Sequence, residues 1–277
     1  MTKRSTPTMA QKADRHELYQ LSVQSPEFEL DFFDARYREL RGKRPLILRE
    51  DFCGTALVCA QWAKSHPKRQ AIGVDLCAET LEWGLKHNVR PAGKDVARRI
   101  KLINANVLTA DAPKADVTCA MNFSYMIFTR RGALRHYFET VRAGLKDNGL
   151  FFLDLLGGLE TPNAVAEERE IEGEDFTYTW DQATYNPITN EMQCYIHFGF
   201  PDGSKLKRAF SYYWRLWSLP EIRELLHEAG FSKVRIYWEE FEEDENDEEY
   251  LVGSGNYLEV TEVETQEAWI AYIVAEA

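Results

Sequence analysis

The sequence predicts an α/β fold in which a seven-stranded, mostly parallel sheet has helices on both faces and carries an inserted antiparallel β meander. From Pro45 onward, short apolar runs alternate with helical patterns, which is typical of βαβ units. Between Phe176 and Trp217 the apolar residues instead recur with a period of two, which is typical of antiparallel strands. Polar residues follow the apolar runs, and in an open α/β sheet ligands bind at the carboxyl ends of the strands.

Five apolar runs are expected to form the parallel strands, at residues 46–48, 71–75, 100–104, 117–121 and 150–156. Helical patterns separate most of them, at residues 56–63, near Leu81 and at 133–145. The meander is expected to contain three strands, because Asn186-Pro187 and Asp202-Gly203 interrupt the alternation at two places. A further helix begins after Ser218, whose hydroxyl can cap it together with Glu221.

Four segments follow from these patterns. Residues 1–44 are expected to form an N-terminal helical lid, and residues 45–158 the first part of the core. Residues 159–217 contain the inserted β subdomain, and residues 218–277 return to the core with one helix and two strands, 233–238 and 268–275. An acidic segment separates those two strands, since nine of the eleven residues from Glu239 to Glu249 are acidic. Like charges at this density favour a solvated, mobile loop.

The composition excludes several classes of protein. The net charge of −12 falls to −3 without the acidic segment, and basic residues form no stripe, so nucleic acid is not an expected partner. No apolar run approaches the ~18 residues of a membrane helix, and the N-terminus lacks an apolar signal core, so a cytoplasmic protein is expected. The cysteines show no zinc-ligand spacing and are expected to be reduced, buried thiols, with no metal site; they are Cys53, Cys59, Cys77, Cys119 and Cys194.

Two residues at predicted strand ends suit a nucleoside. Gly54 follows the first strand, and glycine allows the backbone to approach a ligand closely because it has no Cβ. Asp75 closes the second strand 21 positions later, where a carboxylate can accept hydrogen bonds from both hydroxyls of a ribose. Glu50 and Asp51 are alternative acids beside this site, and register favours Glu50. Arg49 is expected to pair with one of them.

Together these segments resemble class I S-adenosylmethionine-dependent methyltransferases, which have a Rossmann-like fold, and the resemblance extends from Pro45 to the end of the chain. Residues 49–56 are similar to the glycine-rich first motif of that family, although Phe52 and Ala56 stand where two of its three glycines occur. Residues 72–75 are similar to the second motif, and residues 104–108 occupy the adenine-binding position, with Asn106 where aspartate is commoner. The β insertion resembles the lid subdomain of amino-sugar and glycine N-methyltransferases.

The resemblance implies S-adenosyl-L-methionine as cofactor. The residues that it places at the cofactor are Tyr19, Glu50, Phe52, Cys53, Gly54, Thr55, Asp75, Leu76, Asn106, Val107 and Asn122.

A second resemblance concerns the acceptor. Asn122-Phe123-Ser124-Tyr125 stands where amino-group methyltransferases of DNA and protein carry Asn-Pro-Pro-Tyr, a motif that holds the target amine. It implies that Asn122 orients an acceptor and that Tyr125 stacks on it. The alternative is that Asn122 bonds nearby backbone groups and Tyr125 packs against the lid. His197 and Tyr213, on the second face of the meander, are further catalytic candidates. His197 could act as a general base or serve a structural role.

The expected function is therefore methyl transfer to a nitrogen or oxygen of a small-molecule acceptor. The second face of the meander could meet this acceptor or a second subunit, which allows a homodimer. A nicotinamide-dependent oxidoreductase is a weaker alternative, because Cys53-Gly54-Thr55-Ala56 lacks the G-x-G-x-x-G pattern. A non-catalytic adenosyl-binding or scaffold protein is the other alternative.

Overall fold

The computed structural model of the chain describes residues 6–244 and 247–277. These residues form two compact units. The core unit comprises Pro26–Tyr125, Arg130–Thr161 and Trp217–Ala277. The meander unit comprises the described part of Met1–Ser25 together with Met126–Thr129 and Pro162–Leu216. In the described residues, no helix combines the length and apolar character that crossing a membrane requires.

Within the described residues the strands are, in chain order, β1 (Ile47–Asp51), β2 (Gln70–Asp75), β3 (Ile100–Asn104), β4 (Ala115–Ala120), β5 (Leu145–Gly157), β6 (Val165–Glu170), β7 (Thr177–Asn186), β8 (Glu191–Gly199), β9 (Lys205–Arg215), β10 (Lys233–Asp244), β11 (Asp247–Val260) and β12 (Trp269–Glu276). The α-helices are α1 (Met9–Lys12), α2 (Arg15–Val23), α3 (Pro26–Arg41), α4 (Leu57–Ser65), α5 (Ala78–Gly84), α6 (Lys94–Ala97), α7 (Arg131–Gly144) and α8 (Leu219–Glu228). A π-helical turn (Leu85–Val89) continues α5, and a 3₁₀ turn (Ser124–Ile127) follows β4.

The core unit contains one sheet with the strand order β11-β10-β12-β5-β4-β1-β2-β3. The five strands from β5 to β3 are parallel, and β12, β10 and β11 are added antiparallel. The strand order reverses at β1, which pairs with both β2 and β4. The carboxyl ends of β1, β2 and β4 therefore meet at the point where open α/β sheets bind ligands.

Helices pack on both faces of this sheet. Successive side chains of a strand point to opposite faces, so neighbouring residues of one strand contact different helices. On β5, Phe152 packs against Phe33 of α3 with ring centroids 4.7 Å apart. The preceding residue, Phe151, packs against Phe138 of α7 on the other face, at 5.9 Å.

The acidic segment does not form a loop in its described part, which corrects that prediction. Its residues belong to β10 and β11, and residues 245–246 lie outside the described part of the chain. The sheet consequently has eight strands rather than seven. Backbone pairing requires no apolar side chain, and charged residues are common on edge strands such as β11.

The meander unit has an antiparallel sheet with the order β6-β7-β8-β9, one strand more than predicted. The additional strand, β6, is an edge strand whose side chains are mostly exposed. Helix α2 packs on one face of the sheet, where Leu18 joins an apolar cluster that includes Phe176, Ile196 and Phe198. Helix α1 is fixed to the β8–β9 turn, because the Met9 and Ala10 N–H groups donate to side chains of that turn.

Candidate functional site

The loop between β1 and α4 has left-handed backbone at alternate residues: Phe52, Gly54 and Ala56 have φ values of 58°, 50° and 55°. Only Gly54 adopts this conformation without a steric penalty, which is about 1–2 kcal/mol for other residues. No atom lies within 4 Å of the position that a Gly54 Cβ would occupy. The loop thus retains the shape of a glycine-rich turn and presents open backbone at its centre.

Two residues of the following helical segment hold this loop. The Asn88 side chain donates to the Thr55 carbonyl oxygen at 2.8 Å. Gly84 lies against the same carbonyl, and a Cβ at Gly84 would be only 2.1 Å from the Thr55 oxygen. Neither residue was predicted for the site, although a glycine inside a helical pattern is a signal of close backbone approach.

Asp75 connects the ends of β1 and β2. Its Oδ2 accepts the Gly54 N–H at 2.8 Å, and its Oδ1 accepts the Cys77 N–H at 2.8 Å. A carboxylate has about four acceptor positions, so both oxygens keep capacity for a further donor. Leu76, which follows it, has 73% of its surface exposed and provides an apolar contact beside the carboxylate.

The residues after β3 support this edge in different ways. Asn104 donates to the carbonyl oxygens of Asp75 and Leu76, at 3.1 and 2.9 Å. The Asn106 Oδ1 accepts the Leu108 N–H at 3.0 Å, while the Val107 side chain is buried. Of the pair predicted at the adenine position, Asn106 is therefore the one with an accessible side chain.

The two acids at the end of β1 have separate partners. Asp51 forms a buried ion pair with Arg49 at 2.7 Å and accepts the Tyr137 hydroxyl at 3.0 Å. The pairing expected for Arg49 is present. Glu50 accepts the Cys59 N–H at 3.1 Å and also a hydrogen bond from the Cys59 thiol. Each acid thus has two donors, and of the two it is Asp51 that has a cationic one. Cys53 is buried beside them, and burial raises the pKa of its thiol well above the ordinary range.

The turn after β4 is strained and is held by Asp154. Asn122 and Phe123 both have left-handed backbone, with φ of 54° and 57°. Their N–H groups donate to the Asp154 carboxylate at 2.8 and 2.9 Å. Consecutive non-glycine residues in this region persist only where the surroundings enforce the conformation. No hydrogen bond of the Asn122 side-chain amide is found among the described residues, so the amide is available to a ligand.

Tyr125 does not lie where stacking on an acceptor would require. Its side chain is completely buried, and its hydroxyl donates to the Asp154 carbonyl oxygen at 2.7 Å. Tyr125 packs within the core unit, where its ring centroid lies 6.1 Å from that of Phe138, and this corrects its predicted stacking on an acceptor. Burial of the Tyr125 ring removes a large apolar surface from water, and the bond to the Asp154 carbonyl satisfies the buried hydroxyl.

His197 is likewise engaged within the meander unit. The Arg208 N–H donates to its Nδ1 at 2.9 Å, so Nε2 carries the proton and donates to Asp181 at 3.1 Å. Because neither ring nitrogen is free, the geometry supports the structural role and corrects the predicted general base. Tyr213 on the same face is 56% exposed, and Tyr19 packs on Phe210 with ring centroids 4.9 Å apart.

Three buried carboxyl groups of the core unit have raised pKa values, and two of them, Glu50 and Asp154, act electrostatically on the third, Glu29. Burial, followed by the charges of Glu50 and Asp154, raises the pKa of Glu29 to about 8. Burial also raises the pKa of Glu50 and that of Asp154 to about 7, although backbone N–H groups oppose the shift in both. Neither Glu29 nor Asp154 was predicted for the site. The sequence does contain a signal for each, since a charged residue in an apolar segment is rarely buried without a reason. Asp154 lies within the apolar run of residues 151–155, and Glu29 lies on the apolar face of α3.

No protein-family model matches the sequence, and no curated protein sequence is significantly similar to it. Solved structures, in contrast, match the fold over nearly the whole chain. The chain has the Rossmann-like fold of S-adenosylmethionine-dependent methyltransferases with an inserted β sheet, and the prediction of that fold is confirmed.

Three of these structures define the similarity. CalS10, an amino pentose methyltransferase from Micromonospora echinaspora solved with S-adenosylmethionine bound, is 13% identical with a TM-score of 0.65, over 94% of this chain and 95% of that one. An S-adenosylmethionine-dependent methyltransferase from Clostridium acetobutylicum is 16% identical with a TM-score of 0.64, over 94% and 96%. The sugar N-methyltransferase KedS8 from Streptoalloteichus is 15% identical with a TM-score of 0.62, over 100% and 98%.

Proposed function

We propose that this protein transfers a methyl group from S-adenosylmethionine to a nitrogen or oxygen of a small-molecule acceptor. The observation that carries the proposal is the left-handed loop after β1, whose Gly54 N–H is bound by Asp75 at the point where the strand order reverses. This arrangement places exposed backbone and an acidic acceptor side by side, as a nucleoside requires. The likeness to CalS10 and KedS8, which are described as amino pentose and sugar N-methyltransferases, supports the same class of reaction.

The residues present fit this cofactor. Asp75 would accept the ribose hydroxyls with its remaining lone pairs, Leu76 and Asn106 would line the adenine, and the backbone at Gly54 would face the amino-acid portion. When bound, S-adenosylmethionine supplies a methyl carbon activated by the adjacent sulfonium. The protein's contribution is then to align the acceptor and to exclude water.

On the acceptor side we propose Asn122. The backbone N–H groups of Asn122 and Phe123 donate to Asp154, which holds the turn at the carboxyl end of β4. These bonds fix the backbone of Asn122 and do not use the donors or the acceptor of its side-chain amide. An amide offers both donor and acceptor groups, which suits an amine or a hydroxyl. Tyr125 contributes indirectly, since its hydroxyl bond to Asp154 stabilises the same turn.

Calorimetric titration of the full chain with S-adenosylhomocysteine, NAD and NADP tests the cofactor assignment. We expect binding of S-adenosylhomocysteine and none of either nicotinamide nucleotide. Binding of NAD or NADP alone would instead favour an oxidoreductase. A screen of amino sugars, other small amines and hydroxylated compounds with labelled S-adenosylmethionine then tests transfer; cofactor binding without label transfer to any small acceptor would favour a non-catalytic adenosyl-binding protein.

A further inference from the structure

Glu29 of α3 is a buried acid with an unpaired oxygen. Helix α3 packs on the sheet through Phe32 and Phe33, and Glu29 lies about one turn earlier on the same helix face. Only 4% of its surface is exposed, and its Oε2 has no hydrogen-bond partner in the described structure. A buried polar atom without a partner is unfavourable by about 1–3 kcal/mol, and more for a charged one. Such an atom in a native protein requires an explanation.

The groups around Glu29 disfavour its ionised form further, in addition to the effect of burial. The charges that act on it most strongly are those of Glu50 at the end of β1 and Asp154 on β5, and both are acids. Cys119 of β4 and Tyr272 of β12 also lie within electrostatic range of Glu29. The groups that face it therefore come from four strands, and each is either neutral or negative. Burial among them favours the protonated form, in agreement with a Glu29 pKa of about 8.

A cation between these carboxylates would favour ionised over protonated Glu29, because an opposite charge at short range stabilises the ionised form of an acid. In the described residues, no cluster of His, Cys, Asp and Glu has an arrangement that could hold a metal ion. An ammonium group suits the arrangement better, since its three donors can reach carboxylates on different sides and need no fixed coordination geometry. Hydrogen bonds between ionised partners are also about twice as strong as neutral ones.

We infer that Glu29, together with Glu50, binds the α-ammonium group at the amino-acid end of the S-adenosyl cofactor. The inference rests on the proposed function, and it adds a binding residue from a helix that precedes the glycine-rich loop. Glu50 stands at the start of that loop, and Glu29 supplies a carboxylate from the α3 side of the sheet. Asp154 adds negative potential, and its two oxygens also hold the turn after β4 by accepting the Asn122 and Phe123 N–H groups.

A comparison of two ligands isolates the contribution of this contact to cofactor affinity. S-adenosylhomocysteine has the α-ammonium group, whereas 5′-methylthioadenosine keeps the adenosine and the sulfur but lacks the amino-acid portion. Both are titrated by calorimetry into the wild-type chain, Glu29→Gln and the control Glu27→Gln, which changes an exposed acid of the same helix. We expect Glu29→Gln to weaken S-adenosylhomocysteine at least tenfold and to leave 5′-methylthioadenosine unchanged. Glu27→Gln should change neither affinity.

The number of protons released on ligand binding provides a second test. It would not depend on Glu29 if the role of that residue were purely structural. At pH 7.5 part of the Glu29 population is protonated, and an ammonium group beside it should expel that proton. Titrations in two buffers with different ionisation enthalpies count the protons. We expect the wild type to release more protons with S-adenosylhomocysteine than with 5′-methylthioadenosine, and Glu29→Gln to lose most of that difference.

The outcomes separate the inference from the function on which it rests. If the wild type fails to bind S-adenosylhomocysteine, the proposed function is wrong. If it binds but Glu29→Gln weakens both ligands equally, or neither, the inference is overturned while the function stands. Should Glu29→Gln fail to fold, the proton count of the wild type still decides: equal release with the two ligands overturns the inference.

Discussion

At the scale of single residues, Asp75 has two tasks. Its carboxylate fixes the Gly54 and Cys77 N–H groups, and in the proposed complex it also accepts the ribose hydroxyls. Asparagine at this position keeps the size of the side chain and one acceptor oxygen, but it removes the charge and one of the two bonds to the backbone. The variant therefore weakens the ligand contact while it preserves the volume of the side chain.

We expect Asp75→Asn to bind S-adenosylhomocysteine about 10- to 100-fold more weakly than the wild type, because charge-assisted hydrogen bonds contribute roughly 1.5–3 kcal/mol. The measurement is a calorimetric titration, with Asp111→Asn as the control at an exposed acid. Wild-type affinity in a folded Asp75→Asn protein would contradict the ribose assignment.

The stability of the ligand-free protein is expected to fall as the pH rises from about 5 to 8. Burial raises the pKa of Glu29 from 4.5 to about 8, so the folded chain binds more protons than the unfolded chain within this window. Stability from this group is complete below the unfolded pKa and is lost as the pH rises through the folded one. At about 1.4 kcal/mol per pKa unit, the effect of Glu29 amounts to several kcal/mol.

Urea unfolding at pH 5.5 and pH 8.5 measures this decline. Glu50 and Asp154, whose pKa values burial also raises, contribute to it in the same direction. Glu29→Gln cannot ionise and should therefore lose a smaller part of its free energy of unfolding between the two pH values. An equal loss in wild type and variant would show that Glu29 does not titrate in this window.

The sequence was informative for residues whose role depends on their position along the chain. Asp75 and Gly54 could be placed together at neighbouring strand ends, where the Gly54 N–H donates to Asp75, because strand ends and spacing are visible in one dimension. Tyr125 and His197 could not, because burial and the partners of a ring nitrogen depend on residues far away in the chain, here Asp154, Asp181 and Arg208. Glu29 was not recognised for the same reason.

At the scale of elements, the loop between β1 and α4 carries stored strain. Ala56 is the N-cap residue of α4 with a φ of 55°, and it has no side chain that could cap the helix. Glycine is preferred over alanine at an N-cap and has no penalty at positive φ. Its greater freedom in the unfolded chain offsets part of that gain.

We therefore expect Ala56→Gly to be less destabilising, by about 1–2 kcal/mol, than the matched control Ala60→Gly in the interior of the same helix. Both alanines are buried, so both variants lose a buried methyl group and the difference between them reflects the backbone. Denaturant unfolding of both variants measures the two effects. Equal destabilisation would show that the left-handed conformation does not strain Ala56.

The parallel strands of the core were predictable because buried strands are apolar, whereas the two strands that were missed are edge strands. Both β6 and β11 lie at the border of their sheets and are rich in acidic residues. An edge strand gains its stability from backbone hydrogen bonds on one side, so its side chains need not alternate between apolar and polar. A pattern of hydrophobicity alone cannot distinguish such a strand from a solvated loop.

At the scale of the whole molecule, the acidic hairpin of β10 and β11 supplies most of the net charge. Residues 242–252 contain seven carboxylates and no basic residue, so their removal would change the net charge from −12 to −5. Phe241 of β10 pairs directly with Gly253 of β11, so a short turn could join these two residues. An Asn-Gly turn favours a two-residue connection of this kind.

We expect replacement of residues 242–252 by Asn-Gly to leave the affinity for S-adenosylhomocysteine unchanged, because none of the predicted cofactor residues belongs to this segment. The free energy of unfolding should change by less than about 1 kcal/mol, since repulsion among the acids offsets the lost backbone pairs. Calorimetry and denaturant unfolding check both. A large loss of affinity in a folded variant would assign this hairpin a part in ligand binding.

The left-handed backbone at Phe52 and Ala56 also bears on how many sequences can adopt this loop. A chain with a few kcal/mol of surplus stability tolerates residues other than glycine at these two positions, because each lowers stability by only about 1–2 kcal/mol. The loop conformation is therefore compatible with a wider range of sequences than a strict glycine pattern would allow.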